Sequence, residues 1–354
     1  MEPTGIVRDP VFTMHEMGAH HPESPRRLEV LYELLDKRGH ELNLEQILVR
    51  EATRDELILN HSPVYVGRIE ATSGERSTYL DPDTSTNAHS WEAAIKAVGG
   101  LLNLVDAVME GAARNGIALV RPPGHHAEYD RAMGFCLFNN IAIAARYALA
   151  KHNLSRVAIV DWDLHHGNGT QHSFYDDPRV LFISMHQYPY YPGTGSVSQI
   201  GGGEGKGYTV NIPFIGGAGD VEYTLAFHHV VIPILKAYKP EMIFVSAGFD
   251  AHRKDPLGGM GVTRMGYEHM VKVLMHAAAE LCSGRLILTL EGGYSLDALH
   301  DSVEKLLVAM STYDPPQDAL PDPPNPGDLH PRIVNTFKEV FATQKPYWNN
   351  IIAF

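Results

Sequence analysis

The chain has 354 residues, of which 44% are hydrophobic and 20% are charged, an ordinary composition for a globular protein. Its 42 acidic residues outnumber its 29 basic ones, and the formal net charge of −13 argues against nucleic acid as a direct partner, because phosphate binding needs a positive surface. No apolar run approaches the ~20 residues of a membrane-spanning helix, so we expect no membrane partner either.

The first hundred residues are predicted to be mainly helical. The stretch HPESPRRLEVLYELLDKRG is predicted to be a capped helix. Residues 71–90 are polar and are predicted to form a loop. The chain start, MEPTGIVRDP, lacks the basic and apolar regions of a secretory signal. The two cysteines, Cys136 and Cys282, form no CxxC motif, so we expect buried thiols in a reducing, cytoplasmic environment.

Short apolar runs recur further along the chain and alternate with helix-patterned segments. Their apolarity is continuous rather than alternating, which indicates strands that are covered on both faces. The predicted strands are 116–120, 156–162, 180–186, 208–213, 242–248 and 285–293, and the predicted helices are 139–151, 221–237, 264–280 and 296–310. This pattern predicts an α/β protein with a central parallel sheet of about eight strands and helices on both faces.

We expect one domain over residues 1–354, because no linker divides the chain before residue 310. Its core is expected at about 18–312. Residues 314–331 contain seven prolines and are predicted to be an extended surface segment. That segment is expected to lead to a last helix over 332–342, packed on or near the core.

Polar clusters follow the predicted strands: RPPGHHAE, DWDLHH, SMH, SAGFDAH and EGGY. In open α/β sheets, ligands bind beyond the carboxyl ends of the strands. One polar strand end is typical of any loop, but five that converge on one edge of the sheet indicate a functional site.

A metal site is predicted from two of these clusters. Asp163 and His165 lie two residues apart after a strand and can project the same way, and Asp250 follows another strand. Two carboxylates and one imidazole leave a coordination position open, which is typical of catalytic zinc. A bound cation would also neutralise acids that the chain places at the end of an apolar strand.

The remaining polar residues complete a set for hydrolysis. A metal acidifies water and polarises a carbonyl group. One histidine of the His125–His126 pair could accept a proton, and the Tyr294 phenol could donate to a developing oxyanion. Asp161 could hold an imidazole by its second nitrogen and so fix the tautomer.

Four motifs, RPPGHHAEYDRAMGFCLFNN, VDWDLHHGNGTQ, SAGFDAHRKDPLGG and LEGGY, resemble the zinc-dependent histone deacetylase superfamily. The pattern is most similar to class II enzymes and bacterial histone-deacetylase-like amidohydrolases, and it extends from about residue 20 to about residue 302. The resemblance implies an arginase-like α/β fold, one Zn²⁺ per chain, and hydrolysis of an acetylated amine to acetate and free amine.

The resemblance also implies residue roles. Zinc ligands are expected at Asp163, His165 and Asp250. His126 is expected to be the general base, His125 with Asp161 its electrostatic partner, and Tyr294 the oxyanion donor. Asn168 stands where class I enzymes carry a second Asp behind the base, and class II enzymes share the asparagine. The expected substrate channel comprises Gly134, Phe135, Tyr191, Leu257 and Gly292.

Relatives also bind structural potassium, and the matching positions here form two sets. The inner set is Asp161, Asp163, His165, Ser184 and Met185, and the outer set is Phe174, Asp177, Val180 and Tyr208. Oxygen ligands are suited to a hard cation.

The substrate is expected to be an acetylated lysine of a peptide or protein. Acetylpolyamine-selective relatives of class IIb place a Glu at the channel mouth, whereas Leu257 here carries no charge. Acetylated small amines and longer acyl groups remain open, since bacterial polyamine deacetylases narrow the channel by other means. Asp81 and Asp83 could bind a substrate backbone at the rim.

Two other function classes stay open. Arginase-like hydrolysis of guanidines needs further acidic ligands for a second manganese ion, and His166, Gly167 and His252 stand where these would be wanted. A reader of acetylated chains without catalysis is the third class, although the expected ligands and the tyrosine are all present. A homo-oligomer is a further alternative, with the proline-rich tail and the loop over 71–90 as contact surfaces.

Overall fold

A computed structural model describes residues 2–315 and 329–351 of the chain. The strands are β1 (Thr4–Val7), β2 (Leu44–Gln46), β3 (Thr78–Asp81), β4 (Thr84–Thr86), β5 (Asn115–Ala118), β6 (Val157–Asp161), β7 (Val180–Gln187), β8 (Thr209–Phe214), β9 (Ile243–Ala247) and β10 (Leu286–Leu290). In the part of the chain described, eight of them form one sheet in the order β2-β1-β5-β10-β9-β6-β7-β8, while β3 and β4 form a separate antiparallel hairpin. All pairings in the large sheet are parallel. The expected parallel sheet of about eight strands is confirmed.

Helices connect the strands. They are α1 (Arg26–Arg38), α2 (Arg54–Leu57), α3 (Pro63–Glu70), α4 (Ser90–Met109), α5 (Asn140–Lys151), α6 (Asn168–Ser173), α7 (Asp220–Ala226), α8 (Ile232–Tyr238), α9 (Arg264–Cys282), α10 (Leu296–Thr312) and α11 (Pro331–Gln344). A π-helical turn, Phe227–Val231, joins α7 to α8. The helix predicted over 221–237 is therefore a helical segment with a π-turn in its middle.

The central strand β6 explains how the site is positioned. All five residues of β6 are buried, as are all five of β9 and β10, because helices cover both faces of the sheet. Asp161 at the end of β6 pairs in register with Ser184 of β7 and Ser246 of β9. The carboxyl ends of neighbouring strands are thus level, and the polar segments that follow them leave the sheet together.

The expectation of a mainly helical N-terminal region was wrong in part. Strands β1 and β2 belong to the large sheet, and β1 lies before the expected start of the core at residue 18. Both strands are short, with four and three residues, so neither offers enough alternation to separate it from a loop. Residues 71–90 are also not all loop, because they contain the hairpin of β3 and β4.

The C-terminal helix packs on the edge of the sheet. Thr336 and Gln344 of α11 hydrogen-bond to backbone carbonyls of β8, and the Phe337 ring lies 5.8 Å from that of Phe214. Most of the predicted proline-rich segment, residues 316–328, lies outside the described residues. Cys136 and Cys282 are free and buried, as expected. Among the described helices, none is both long and apolar enough to cross a membrane.

Candidate active site

Backbone amides hold the two carboxylates of the predicted metal site. Asp163 accepts hydrogen bonds from His165 N and Gly292 N, each at 2.8 Å. Asp250 accepts one from Leu164 N at 2.8 Å. A Cβ on Gly292 would lie 2.3 Å from an Asp250 oxygen, so only glycine allows the backbone this close to both acids. The loops after β6 and β10 therefore fix the direction of each carboxylate.

Asp163, His165 and Asp250 converge as the sequence predicts. His165 Nδ1 lies 3.2 Å from Asp163 Oδ1 and 3.0 Å from Asp250 Oδ2. One potential ligand atom from each residue lies within 4.8 Å of the others. Among the described residues, this is the one cluster of at least three His, Cys, Asp or Glu side chains close enough to share a metal ion. The donor set of two carboxylates and one imidazole suits a divalent cation such as zinc.

The charges of this group also favour a cation. Asp163 and Asp250 are buried, and their candidate ligand oxygens lie within 4.8 Å of each other. Burial and the neighbouring Asp163 carboxylate raise the pKa of Asp250 to about 7. Burial opposes protonation of His165, but the two carboxylates outweigh it and raise its pKa to about 9. Asp250 and His165 therefore favour their protonated forms, and a divalent cation bound here would displace those protons.

His125 and Asp161 form a buried pair beside this group. His125 Nδ1 lies 3.0 Å from Asp161 Oδ2, and its Nε2 lies 3.8 Å from Asp163 Oδ1. Burial lowers the pKa of His125, but Asp161, Asp163 and Glu291 outweigh it and raise the pKa well above its usual value. His125 is therefore expected to be protonated near neutral pH.

His126 is bound differently from its neighbour. Its Nδ1 lies 2.7 Å from Asn168 Oδ1, at the start of α6. Burial and the nearby His125 and His165 rings lower the pKa of His126 well below its usual value. A neutral imidazole beside a protonated one is the arrangement that separates an acid from a base in one site.

Tyr294 lies in the loop after β10, partly buried. Asp255 Oδ2 accepts hydrogen bonds from the backbone amides of Tyr294 and Ser295, at 2.6 and 3.2 Å. The Arg27 guanidinium lies 5.0 Å from the centre of the tyrosine ring. Burial raises the pKa of the Tyr294 phenol well above its usual value, although Arg27 opposes this, so the hydroxyl stays protonated and can donate.

Aromatic rings surround the approach to these groups. The Phe135 ring meets the Tyr294 ring edge to face at 6.0 Å, and the Tyr191 ring meets His126 in the same way at 5.2 Å. Gly134 has φ +57°, and a Cβ there would lie 2.3 Å from the His126 ring, so glycine is required. Gly134, Phe135 and Tyr191 therefore lie beside the catalytic candidates, as the predicted channel requires.

The hairpin of β3 and β4 supports this aromatic wall. Asp83 accepts a hydrogen bond from Gly134 N at 3.1 Å, and Thr84 Oγ1 accepts one from Phe135 N at 2.9 Å. Leu257 is linked to the metal group through Tyr190, whose hydroxyl donates to the Leu257 carbonyl at 2.9 Å and whose ring lies 5.7 Å from that of His165. Asp83 therefore orders the backbone of the wall, and its expected contact with a substrate backbone stays a prediction.

Contacts link several members of each predicted potassium set. In the inner set, Asp161 and Ser184 are register partners on adjacent strands, and Asp161 Oδ1 accepts a hydrogen bond from Asp163 N at 3.1 Å. In the outer set, Asp177 N donates to the Phe174 carbonyl and Val180 N donates to the Asp177 carbonyl, at 3.1 and 3.3 Å. The Tyr208 carbonyl accepts a hydrogen bond from Phe182 N at 2.9 Å, which places Tyr208 beside the strand that begins at Val180. The identity of any ion there stays a prediction.

Residues 21–310 match the histone deacetylase domain family. The chain belongs to the histone deacetylase family. It is 40% identical to histone deacetylase HDA1 of Saccharomyces cerevisiae, over 93% of this chain and 49% of that protein. It is also 40% identical to histone deacetylase 15 of Arabidopsis thaliana, over 94% of this chain and 59% of that protein. The chain thus spans about half the length of the curated relatives it matches.

A solved structure, the crystal structure of the HDA15 HD domain, superposes on this histone deacetylase family chain with a TM-score of 0.90. The two sequences are 38% identical, and the match covers 99% of this chain and 96% of the other. The expected family and its arginase/deacetylase fold are therefore confirmed.

The arginase-like alternative finds no support at the positions where it needs ligands. His166 Nδ1 lies 2.7 Å from Thr194 Oγ1 and its Nε2 lies 3.0 Å from Gln171 Oε1, so both ring nitrogens have partners away from the metal candidates. His252 Nδ1 accepts a hydrogen bond from Lys254 N at 3.2 Å. Family membership likewise favours a deacetylase over a guanidine hydrolase.

Sequence reasoning missed several residues that order this deacetylase-family site. Glu291 accepts hydrogen bonds from Gly124 N and His125 N, at 2.7 and 3.1 Å, and so fixes the start of the His125–His126 segment. Arg27 donates to the carbonyls of Glu291 and Gly293, at 2.5 and 2.6 Å. Glu128, Tyr190 and Asp255 were also missed. Four of the five lay inside quoted motifs, HPESPRR, GHHAE, SAGFDAHRKDPLGG and LEGGY, but spacing along the chain does not show contacts through space.

Proposed function

We propose that this chain is a zinc-dependent amidohydrolase that removes acetyl groups from lysine side chains. The observation that carries the proposal is the convergence of a three-ligand metal group with two imidazoles that have different partners, Asp161 for His125 and Asn168 for His126. The surroundings raise the pKa of His125 and lower that of His126. Asp163, His165 and Asp250 would hold the zinc, which supplies Lewis-acid polarisation of the acyl carbonyl and acidifies a water molecule.

His126 is the general base in this proposal. With the Nδ1 proton directed at Asn168 Oδ1, the Nε2 lone pair is available to accept a proton from the attacking water. The same nitrogen then returns that proton to the departing lysine amine. His125 stays protonated through Asp161 and offers a positive charge next to the place where negative charge develops.

Tyr294 is the oxyanion donor in this proposal. Its hydroxyl stays protonated because burial raises its pKa, so it can donate a hydrogen bond to the oxygen that becomes negative. Asp255 and Arg27 hold its loop and ring, which pre-orders the donor. A pre-ordered donor favours the transition state because it does not reorganise during the reaction.

Acetylated lysine is the proposed substrate class over an acetylated small amine. Leu257, whose carbonyl accepts a hydrogen bond from the Tyr190 hydroxyl, is the proposed residue at the channel mouth. It offers no carboxylate that would bind the distant ammonium group of a polyamine. Curated relatives at 40% identity are named histone deacetylases, which supports the same choice. Acetylpolyamine hydrolysis by the same mechanism is the second candidate, and it is favoured by the acids Asp81 and Asp83 in the rim hairpin.

We also propose that residues 1–354 fold as a single deacetylase domain. We propose in addition that the inner and outer sets each bind a structural K⁺ ion. The inner proposal is supported by the side-by-side placement of Asp161 and Ser184 behind the zinc ligands. An ion there would fix the loop that carries Asp163 and His165.

The test is turnover of a fluorogenic acetyl-lysine peptide by the zinc-loaded chain, with and without a chelator. Tyr294→Phe should lower kcat by about 10² to 10³, the usual effect of losing one oxyanion donor. Tyr79→Phe is the matched control, because Tyr79 is 79% exposed and should retain full activity. Zinc-loaded protein that turns over no acyl-lysine and no acylpolyamine would exclude the proposal.

A side-by-side kinetic comparison of acetyl-lysine peptide, acetylputrescine and acetylspermidine separates the two substrate classes. We expect the highest kcat/KM for the peptide. A strong preference for the polyamines would instead favour the second candidate and would mean that groups other than Leu257 recognise the ammonium.

A further inference from the structure

Asn168 is held at both ends of its side-chain amide. Its Oδ1 lies 2.7 Å from His126 Nδ1. Its Nδ2 donates to Glu128 Oε1 at 2.5 Å and to the His126 carbonyl at 3.3 Å. The Met133 sulfur lies 3.5 Å from the same Nδ2 and accepts weakly. Every partner of the nitrogen is an acceptor, so only one orientation of the amide satisfies all of them.

The orientation matters because an asparagine amide has two different ends. If the amide rotated by half a turn, its NH₂ group would face His126 Nδ1, and its oxygen would face the Glu128 carboxylate. His126 would then carry its proton on Nε2, the nitrogen that must accept a proton in catalysis. The carboxylate makes that rotamer unfavourable, since two oxygens would stand at hydrogen-bond distance without a proton between them.

Glu128 is itself fixed from the solvent side. Both of its carboxylate oxygens lie 2.9 Å from Nδ1 of His172, whose side chain is half exposed. Burial would raise the pKa of Glu128, but His172 and Asn168 outweigh it and lower the pKa below its usual value. An ionised carboxylate is an acceptor only. It can therefore bind the NH₂ end of Asn168 but not its oxygen.

We propose that Glu128 is a positioning residue that sets the amide orientation of Asn168 and thereby the tautomer of the base His126. The proposal rests on the proposed function, in which His126 accepts a proton at Nε2. Glu128 follows His126 by two residues in GHHAE, yet its carboxylate reaches the base through α6 rather than directly. An enzyme with an aspartate at position 168 would not need such a residue, because both carboxylate oxygens accept.

A double-mutant cycle tests this dependence. Glu128→Ala in the natural chain should lower kcat about tenfold with little change in KM, the effect of one orienting hydrogen bond of about 1.4 kcal/mol. Glu128→Gln, which keeps an acceptor, should recover part of the loss. In the Asn168→Asp background, Glu128→Ala should cause no loss, because the amide is gone and the carboxylate repulsion is relieved. Glu110→Ala, at an exposed site, is the matched control and should leave kcat unchanged.

An equal loss from Glu128→Ala in both backgrounds would overturn the proposal, because it would indicate a purely structural role. No loss in the natural background would overturn it as well.

A spectroscopic readout separates this proposal from the proposed function. ¹⁵N NMR of histidine-labelled protein, with the His126 signals assigned by their loss in His126→Gln, reports which ring nitrogen carries the proton. We expect the Nδ1-protonated tautomer in the natural chain and a shift towards the other tautomer in Glu128→Ala. Unchanged signals would overturn the positioning role even if the enzyme is active, and the expected shift would stand even if no acetyl-lysine substrate is turned over.

Discussion

Two clusters of buried charge lie at the carboxyl edge of the sheet, and they differ in how the charge is balanced. In the ion cluster, Glu23 pairs with two arginines, Arg27 at 2.9 Å and Arg121 at 2.7 Å, and all three side chains are fully buried. In the acid–histidine cluster, Asp163 and Asp250 face each other with His165 between them. The first cluster contains its own cations. The second has only imidazoles to balance its acids.

The pKa values show the consequence. Burial would raise the pKa of Glu23, but Arg121 and Arg27 outweigh it and lower it to about 2. Burial and Asp163 instead raise the pKa of Asp250 to about 7. A buried carboxylate that is held ionised stabilises the fold, whereas one that is pushed towards protonation is suited to bind something positive. The contrast supports a structural role for the first cluster and the proposed metal binding for the second.

Arg27 connects the two clusters through its hydrogen bonds. Arg27 binds Glu23 and also donates to the carbonyls of Glu291 and Gly293, on either side of the glycine that contacts the metal candidates. The balanced cluster therefore supports the loop after β10, on which Tyr294 is carried. The experiments below test whether the clusters differ as proposed, starting with the largest expected effect.

Arg121→Met should lower the free energy of unfolding by about 3–5 kcal/mol, because it leaves the Glu23 carboxylate buried with one cation fewer. Urea unfolding in the presence of a chelator measures this without any contribution from metal. The matched control is Arg8→Met, since Arg8 pairs with Asp36 at the surface and should contribute under about 1 kcal/mol. Similar losses from both substitutions would contradict the distinction between a buried and an exposed pair.

The sequence allowed much of this site to be predicted, for a physical reason. Asp161 ends the buried strand β6, Asp163 and Asp250 follow buried strands within three residues, and His125 lies in the segment after β5. The carboxyl ends of these parallel strands meet at one edge. Local sequence therefore predicted both the strands and the convergence of the polar residues. The strand predicted over 156–162 is observed as Val157–Asp161, a difference of one residue at each end.

Other features had no local signal. Strand β2 has the sequence LEQ and is largely exposed, so nothing in its pattern separates it from a loop. The Arg27 guanidinium meets the backbone of residues 291 and 293, more than 260 positions away, and no spacing rule reports such a contact. Glu128 was visible in GHHAE, but its role depends on an amide that α6 brings to it. Tertiary contacts of this kind become evident only from the fold.

The pH dependence of stability should have opposite signs for the two clusters. The pKa of Glu23 is lower in the folded chain than its ordinary value of 4.5, so its contribution is present above pH 4.5 and is lost as the pH falls towards about 2. The full contribution is about 3 kcal/mol at ~1.4 kcal/mol per pKa unit. For Asp250, whose pKa is raised to about 7, stabilisation by the bound proton is present at low pH and is lost as the pH rises from about 4 to 7.

These contributions are separated by measuring the free energy of unfolding across pH 2.5–7.5 in the presence of a chelator. The proteins compared are the natural chain, Glu23→Gln and Asp250→Asn. The difference between the natural chain and Glu23→Gln should shrink towards low pH. The difference between the natural chain and Asp250→Asn should grow, in favour of the variant, towards neutral pH. Parallel curves for all three proteins would show that neither carboxyl group titrates differently in the folded and unfolded chain.

Zinc should neutralise the excess negative charge of the acid–histidine cluster and leave the ion cluster unaffected. A ligand that binds only the folded chain adds about 2.7 kcal/mol to the free energy of unfolding at a free concentration of 100 times its Kd. The natural chain and Glu23→Gln should both show this gain, because Glu23 does not contribute to the metal group. Asp250→Asn should lose most of it, because an amide replaces one of two charged ligands, while Asp36→Asn at the surface should keep it. If Asp250→Asn kept the full gain, the zinc would be bound elsewhere, and the contrast between a self-balanced cluster and one that needs a cation would fail.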